Sequence, residues 1–335
     1  MTKNVPIITA TLLAGIPEFV GAELGPRARH RVFSDAGLRH SFRPEGGVYI
    51  PEASVVKIIE SAAQQAGDGA LGALLGSQLD LGAYDTWGAY ILEAKTLGES
   101  LKRFSNVMSY VASHSTASVT LRGAQARLNY RWTARTSSIY RQLCFASAGS
   151  LLNTLRHYLG RHFVPDEIHL DVPRPDHPAT VEDHLPTRIV YDAAQISLVF
   201  SRALLTSRRR SDVVGVPLTL ADVRRQVLPG PPQRFDTVVE ELVRLQVQSG
   251  GPSLEQTALA LDVNVRTLHR MLDRHGEGFR TLSRRVRLGM ARDLLQETDM
   301  TVRAVAESVG YSDAYNFSRA FHKFFGTRPT QMQAS

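Results

Sequence analysis

Cysteine is almost missing from this chain: of its 335 residues only Cys144 carries a thiol. One thiol cannot close an internal disulfide and offers no metal cluster. That economy fits a reducing compartment, so a cytoplasmic location is expected. No apolar run reaches the roughly 18 residues that a membrane span needs. The first twenty residues hold a short apolar stretch broken by Pro6 and Pro17, which makes a poor signal peptide. Low-complexity tracts are missing, as are G-x-S-x-G, a phosphate loop and H-E-x-x-H. The five histidines His157, His162, His169, His177 and His184 are irregularly spaced and match no metal motif. Cys144 lies in an apolar run with Arg141 as its nearest basic neighbour in sequence, which reads as a buried, inert thiol. No enzyme, cofactor, metal or membrane partner is expected.

Apolar residues make up 43% of the chain and charged ones 21%, enough apolar matter for more than one core. The net charge of +7 suits an anionic partner without telling DNA from a membrane surface. Its location says more. From Asn264 to Arg292 there are eight arginines against only Asp273 and Glu277, whereas Asp236 to Ser335 as a whole is nearly balanced.

The first two hundred residues mix two periodicities. Ser54–Ala66, Leu97–Val111 and Leu151–Phe163 place apolar residues at helical spacing. Ala117–Arg122, Ala126–Trp132, Glu167–Val172 and Arg188–Tyr191 read as strands, and Asp192–Leu205 as strand or as loop with a short helix. The pattern predicts an α+β domain over residues 1–207. An Arg-, Pro- and Gly-rich linker follows over 208–235, with one short helix at Thr219–Val227 and with Pro229, Pro231 and Pro232 stopping any helix. From Asp236 to Ser335 the pattern is helical, which predicts an all-α domain.

Within that domain a two-helix pattern occurs twice. Ser253 with Gln256 forms a capping box, and Leu254, Ala258 and Leu261 give the next helix one apolar face. Asp262 stands where a left-handed turn is needed, and Asn264 caps a second helix whose Val265, Leu268 and Leu272 point inward. Further on, Thr301 caps a helix with Val302, Val305, Ala306 and Val309, Gly310 turns the chain, and Ser312 or Asp313 caps a helix whose Phe317, Phe321 and Phe324 go to the core, Phe317 standing 49 residues after Leu268. Two short helices, a tight turn and a polar outer face describe a helix-turn-helix. Between the units Gly278–Glu297 is one helical run, with Phe279, Leu282, Val286, Met290 and Leu294 apolar. Twenty residues at ~1.5 Å each span about 30 Å, close to the ~34 Å between successive major-groove faces.

Chemistry divides the polar residues. Arginine pairs with guanine and asparagine with adenine in the major groove. Arg266, Thr267, His269 and Arg270 in the first unit, and Tyr315, Asn316, Ser318 and Arg319 in the second, are the candidates for base contacts. Arg280, Arg284, Arg285, Lys323 and Arg328 are the candidates for phosphate contacts, which hold without reading sequence. Any single arginine fits a solvated helix face equally well, and Arg319 fits a salt bridge to Asp313 or a phosphate as well as a base.

The C-terminal hundred residues resemble the AraC/XylS family of bacterial transcription regulators. The likeness is carried by ALALDVNVRTLHRMLDRHGEGF, RLGMARDLLQET and VAESVGYSDAYNFSRAFHKFFGTRPTQM, above all by Gly310 to Asp313, Phe317 to Phe321 and Gly326 to Pro329. Asp262 stands where the family usually has glycine, and His269 where glutamine is common. The N-terminal part resembles the arabinose-binding-like domain of one subgroup, in Ala66–Asp68 through Leu75–Gly76, Lys95–Leu101 and Ile189–Leu205. The resemblance implies an activator that binds double-stranded DNA, meets RNA polymerase, forms a homodimer, and takes a small organic effector such as a fatty acid, an amino acid or another metabolite. Tyr84, Trp87, Tyr90 and Trp132, with Tyr130, are candidate pocket residues, although ordinary core explains such clusters more often. A DNA-binding domain fused to an enzyme, or to a module that only dimerises, is the alternative.

Overall fold

A computed structural model describes residues 5–38, 42, 44, 47–137, 139–210, 217–227, 230–232, 234–248 and 251–332. The chain divides into two units, one of Pro6–Ala36 with Arg43–Pro232, the other of Gln233–Ser335 with Met1–Val5 and Gly37–Phe42.

The first unit begins with β1 (Ile7–Thr9), α1 (Ile16–Asp35), β2 (Tyr49–Pro51) and α2 (Glu52–Ala66). β1 and β2 form a small antiparallel sheet. α3 (Leu71–Gln78), α4 (Asp85–Leu92) and α5 (Leu97–Val111) follow. Thr96 caps α5 by accepting the Glu99 N–H at 3.3 Å, and every apolar residue the periodicity assigns to its inner face is buried. β3 (Thr116–Arg122), β4 (Gln125–Arg131), α6 (Arg141–Leu159), β5 (Glu167–His169), α7 (Pro178–Glu182), β6 (Ile189–Val190) and β7 (Ile196–Ser201) complete an α+β domain. Its main sheet has the order β3-β4-β7-β5-β6, with only the β5–β6 pair parallel.

α6 starts ten residues before its expected beginning and ends earlier. Leu143, Cys144, Phe145, Ala146 and Ala148 are all buried, so the first turns carry no polar face for a periodicity to show. Gly160, at φ +98°, ends the helix. α3 crosses α6 where Gly72, Gly76 and Gly149 leave backbone against backbone. The side chains at the crossing hold it. Gln142 accepts the Gly72 N–H at 2.8 Å and donates to the Gly69 carbonyl at 2.8 Å, while Asn153 donates to the carbonyls that end α3.

α8 (Leu220–Val227), the helix expected in the linker, buries Val223 and Val227 in this unit. The Tyr49 hydroxyl donates to the Val227 carbonyl at 2.9 Å, and Arg224 donates to the Tyr110 hydroxyl. Pro229 and residues 211–216 of that segment lie outside the described residues.

The second unit is all helix: α9 (Phe235–Gln248), α10 (Leu254–Ala260), α11 (Val265–Arg274), α12 (Phe279–Glu297), α13 (Val302–Ser308), α14 (Ala314–Phe325) and α15 (Pro329–Met332). α12 packs against α9, α13 and α15. Its buried arc is therefore broader than one stripe: Leu282, Val286, Leu288, Ala291 and Leu295 are buried, whereas Phe279, Met290 and Leu294 are only half-buried.

Candidate nucleic-acid interface and internal cavity

In the first two-helix element, Ser253 caps α10 by accepting the Gln256 N–H at 3.2 Å. The reciprocal half of the expected capping box comes from another helix. The Ser253 N–H goes to Gln246 of α9 at 2.9 Å, and Oε1 of Gln256 has no partner. Gln246 also donates to Thr257 at 3.1 Å, so one buried amide ties α9 to α10. The chain then turns through Asp262 at φ +55°, the left-handed region. Asn264 caps α11 by accepting the Thr267 N–H at 2.8 Å. Leu268 and Leu272 are buried, which leaves Arg266, His269, Arg270 and Arg274 exposed; Thr267 is half-buried.

A side chain at positive φ carries a cost that glycine avoids.

In the second element Thr301 caps α13, Gly310 turns the chain at φ +80°, and Asp313 caps α14 by accepting the Tyr315 and Asn316 N–H groups at 3.0 and 3.2 Å. The Asp313 carboxylate is thus spent on the cap and forms no ion pair with Arg319. Instead, the Arg319 guanidinium lies 5.7 Å over the exposed ring of Tyr315. Phe317 and Phe321 are buried, and α14 continues that row at Phe325, which packs on Phe321 with ring centroids 4.7 Å apart. Phe324, seven residues after Phe317 and so on the same side of the helix, is nevertheless 47% exposed, contrary to expectation; its ring meets only the edge of Phe325, at 4.8 Å between centroids.

Three candidates change their standing. Arg285 is half-buried between two carboxylates, Glu240 at 2.7 Å and Glu277 at 2.8 Å, and these hold its charge firmly. It braces α12 on α9, and is unsuited to phosphate. The Ser318 hydroxyl is half-buried and donates to the Ala314 carbonyl of its own helix at 2.8 Å, which leaves only its acceptor side for another partner. Tyr90 lies outside the aromatic cavity of the first unit. Arg103 stacks on its ring at 4.5 Å and donates to its carbonyl at 2.7 Å, and Tyr90 is half-buried where Trp87 and Ile91 are buried.

The remaining cations gather. Arg280 and Arg284 of α12 and Asn316, Arg319 and Lys323 of α14 line one open groove. Arg328 lies beyond it, next to α15, and Arg266, His269 and Arg270 project from α11. Sequence reasoning missed Arg287. It donates to the Val309 carbonyl at 2.7 Å and the Gly310 carbonyl at 2.6 Å, and its guanidinium lies 4.1 Å over Tyr311. One side chain of the connecting helix thereby fixes the turn of the second element. An arginine within the basic run was the only signal.

The first unit holds an internal cavity of about 60 Å³ lined by Tyr84, Trp87, Tyr130 and Trp132 together with Met108 and Ser150. Among the described residues, its lining includes no acidic or basic side chain. The indoles are satisfied within the wall, Trp87 donating to Thr11 at 2.9 Å and Trp132 to Ser147 at 2.8 Å. Burial pushes the Tyr84 hydroxyl up to about 12. Cys144 is buried, donates to Asp171 at 3.3 Å, and burial holds its thiol well above the usual range. Such a thiol does not suit a nucleophile.

The family model described as the arabinose-binding domain of AraC transcription regulators, N-terminal, matches residues 27–208, and a helix-turn-helix domain model matches residues 257–335. An uncharacterised HTH-type transcriptional regulator of Mycobacterium tuberculosis is 36% identical over 80 residues, 24% of this chain and 23% of that protein. The transcriptional activator NphR of a Rhodococcus species is 31% identical over 93 residues, 28% of each chain. The match thus spans only about a quarter of the length of these relatives. Among solved structures, the transcriptional regulator CdpR of Pseudomonas aeruginosa is similar over 79% of this chain and 86% of its own, at 20% identity and a TM-score of 0.38. With one family model covering more than half of its length and another its paired helix-turn-helix region, the chain belongs to the AraC family of transcription regulators.

Proposed function

We propose that this protein is a sequence-specific DNA-binding regulator, an activator, in which residues 1–207 hold a small organic effector and mediate dimerisation, 208–235 connect, and 236–335 read DNA. The supporting observation is the open groove where Arg280, Arg284, Asn316, Arg319 and Lys323 meet beside a capped helix. Arg266, His269 and Arg270 of α11, with Thr267 at its start, are the matching base readers of the first element, and Tyr315, Asn316 and Arg319 those of the second. Arg280, Arg284, Lys323 and Arg328 take phosphates. The cytoplasm is the place of action and RNA polymerase the partner in activation. An uncharged aromatic wall favours an effector, fatty acid or other metabolite, that puts hydrocarbon into the cavity; a zwitterionic amino acid finds no counter-charge there.

DNA from upstream of the protein's own coding sequence tests the reading. Arg319→Ala should weaken binding by about 5- to 150-fold, the 1–3 kcal/mol of a bidentate base contact, with little change in salt dependence. Lys323→Ala should instead lower the slope of log K against log salt by about one. Equal losses for Arg319→Ala on this DNA and on a random duplex would make Arg319 a phosphate ligand. No binding by the wild type at moderate salt, with or without candidate effectors, would overturn the proposal.

A further inference from the structure

The main sheet of the first unit ends on β3, and β3 is an unusual edge. It runs seven residues in unbroken register with β4, without a bulge. Proteins usually blunt such an edge with lysine, proline or a bulge. Thr116–Leu121 contains no charged residue and no proline, and Arg122 stands only at its end. Among the described residues only β4 pairs with it.

The orientation of its free backbone groups follows from the hairpin. Arg122 faces Gln125 across a two-residue turn, which makes that pair a hydrogen-bonded one. Hydrogen-bonded pairs alternate along an antiparallel ladder. Thr120, Ser118 and Thr116 therefore point their N–H and C=O groups at β4. Ala117, Val119 and Leu121 point theirs outward, where no strand among the described residues takes them up.

The side chains carry a matching asymmetry. Ala117, Val119 and Leu121 lie opposite Tyr130, Leu128 and Ala126, all buried, so they continue the core face of β4. Yet that stripe is incompletely covered: Ala117 and Val119 are half-buried and Leu121 is 49% exposed. On the opposite face a polar row crosses the sheet. Ser197 donates to Asn129 at 2.8 Å and Asn129 donates to Thr120 at 3.1 Å.

We propose that β3 is the dimer interface, pairing antiparallel with β3 of a second copy of this chain about a two-fold axis through Val119. In that register every outward backbone group finds its partner. Val119 exchanges two bonds with its symmetry mate, and Ala117 and Leu121 exchange two more at each end. The side chains are self-complementary. Val119 meets Val119 and Ala117 meets Leu121, which covers the open stripe. Ser118 meets Thr120, which extends the hydroxyl row, and Arg122 meets only Thr116. Neutral strands approach without like-charge repulsion. Two five-stranded sheets become one of ten. The inference rests on the dimer reading above and gives it a surface.

Sedimentation equilibrium of the full chain tests it. The wild type should be a dimer at micromolar concentration. Val119→Cys should form an interchain disulfide on mild oxidation, because hydrogen-bonded partners sit ~5.5 Å apart at Cα, within disulfide reach. Ser118→Lys with Thr120→Lys places lysines opposite one another in two pairs and should raise the dimer dissociation constant about tenfold or more. Ala117→Pro removes an N–H that β4 does not use and should also weaken the dimer, while the circular dichroism stays native. A monomeric wild type at tens of micromolar, a dimer unchanged in both folded variants, or no cross-link at Val119→Cys overturns the proposal. Failure to bind upstream DNA by a chain that dimerises in this way overturns the DNA reading alone.

Discussion

Gly149→Val should unfold the first unit while leaving the second folded. A β-carbon at residue 149 falls 2.6 Å from the Gly76 carbonyl carbon and 2.9 Å from the Ser77 nitrogen. Both are backbone atoms in a helix, so no rotamer change makes room. The reverse substitution meets the same wall: a β-carbon on Gly76 falls 2.4 Å from the Ala146 carbonyl oxygen. Relief requires α3 and α6 to separate. Gln142 and Asn153 would then lose the hydrogen bonds that bracket the crossing, leaving buried amides unpaired. Overpacking alone costs about 1–3 kcal/mol, and each abandoned buried polar group about 1–3 more. The sum approaches the total stability of an ordinary domain. Calorimetry of the full chain should show the transition of the first unit lost or shifted far down, with that of the second in place. An unchanged pair of transitions would mean that the two helices sit farther apart than described.

This crossing also shows where the sequence is silent. Leu97–Val111 could be read residue by residue, since an amphipathic helix writes its inner face as a period. The crossing of α3 and α6 is written only as glycines at 72, 76 and 149, and a glycine in sequence does not say whether it serves a turn or a contact. α1 and the short strands β1 and β2 escaped for a related reason. α1 is interrupted at Gly25, φ +84°, before Pro26, so no single face persists along it, and three-residue strands are too short to show alternation. In the second unit the caps were legible because Asn264, Thr301 and Asp313 act on neighbours two or three residues away. What was not legible acts across the fold. Gln246 replaces the second half of the capping box, Glu240 captures Arg285, and Arg287 ties α12 to the turn at Gly310. Each depends on a partner 7 to 45 residues distant in the chain. Tyr90 and Ser318 are of the same kind: residue type suggests a role, while the helix face leaves Tyr90 out of the cavity lining and turns the Ser318 donor onto its own helix.

Phe317→Ala should abolish the second reading head and with it most of the affinity for DNA. Phe317 has no solvent exposure, packs on Phe321 with ring centroids 5.5 Å apart and meets Tyr311 edge-on at 5.4 Å. Removing a buried phenylalanine ring costs about 3–5 kcal/mol, transfer and cavity together. A small helical element has little stability to spare against that loss. The damage spreads along one chain of contacts: Tyr311 carries the Arg287 guanidinium, and Arg287 holds the carbonyls of Val309 and Gly310. With the ring gone, α14 loses the anchor that orients Tyr315, Asn316 and Arg319 towards solvent. The matched position in the first element, Leu268, is buried in the same way, so Leu268→Ala should disable the first head by the same route. The two variants should therefore lose different half-contacts in a footprint on the same DNA, one sparing what the other removes. Identical footprints, or full affinity in Phe317→Ala with the melting of the second unit lowered, would mean that α14 reads no bases and that α11 alone carries the sequence preference.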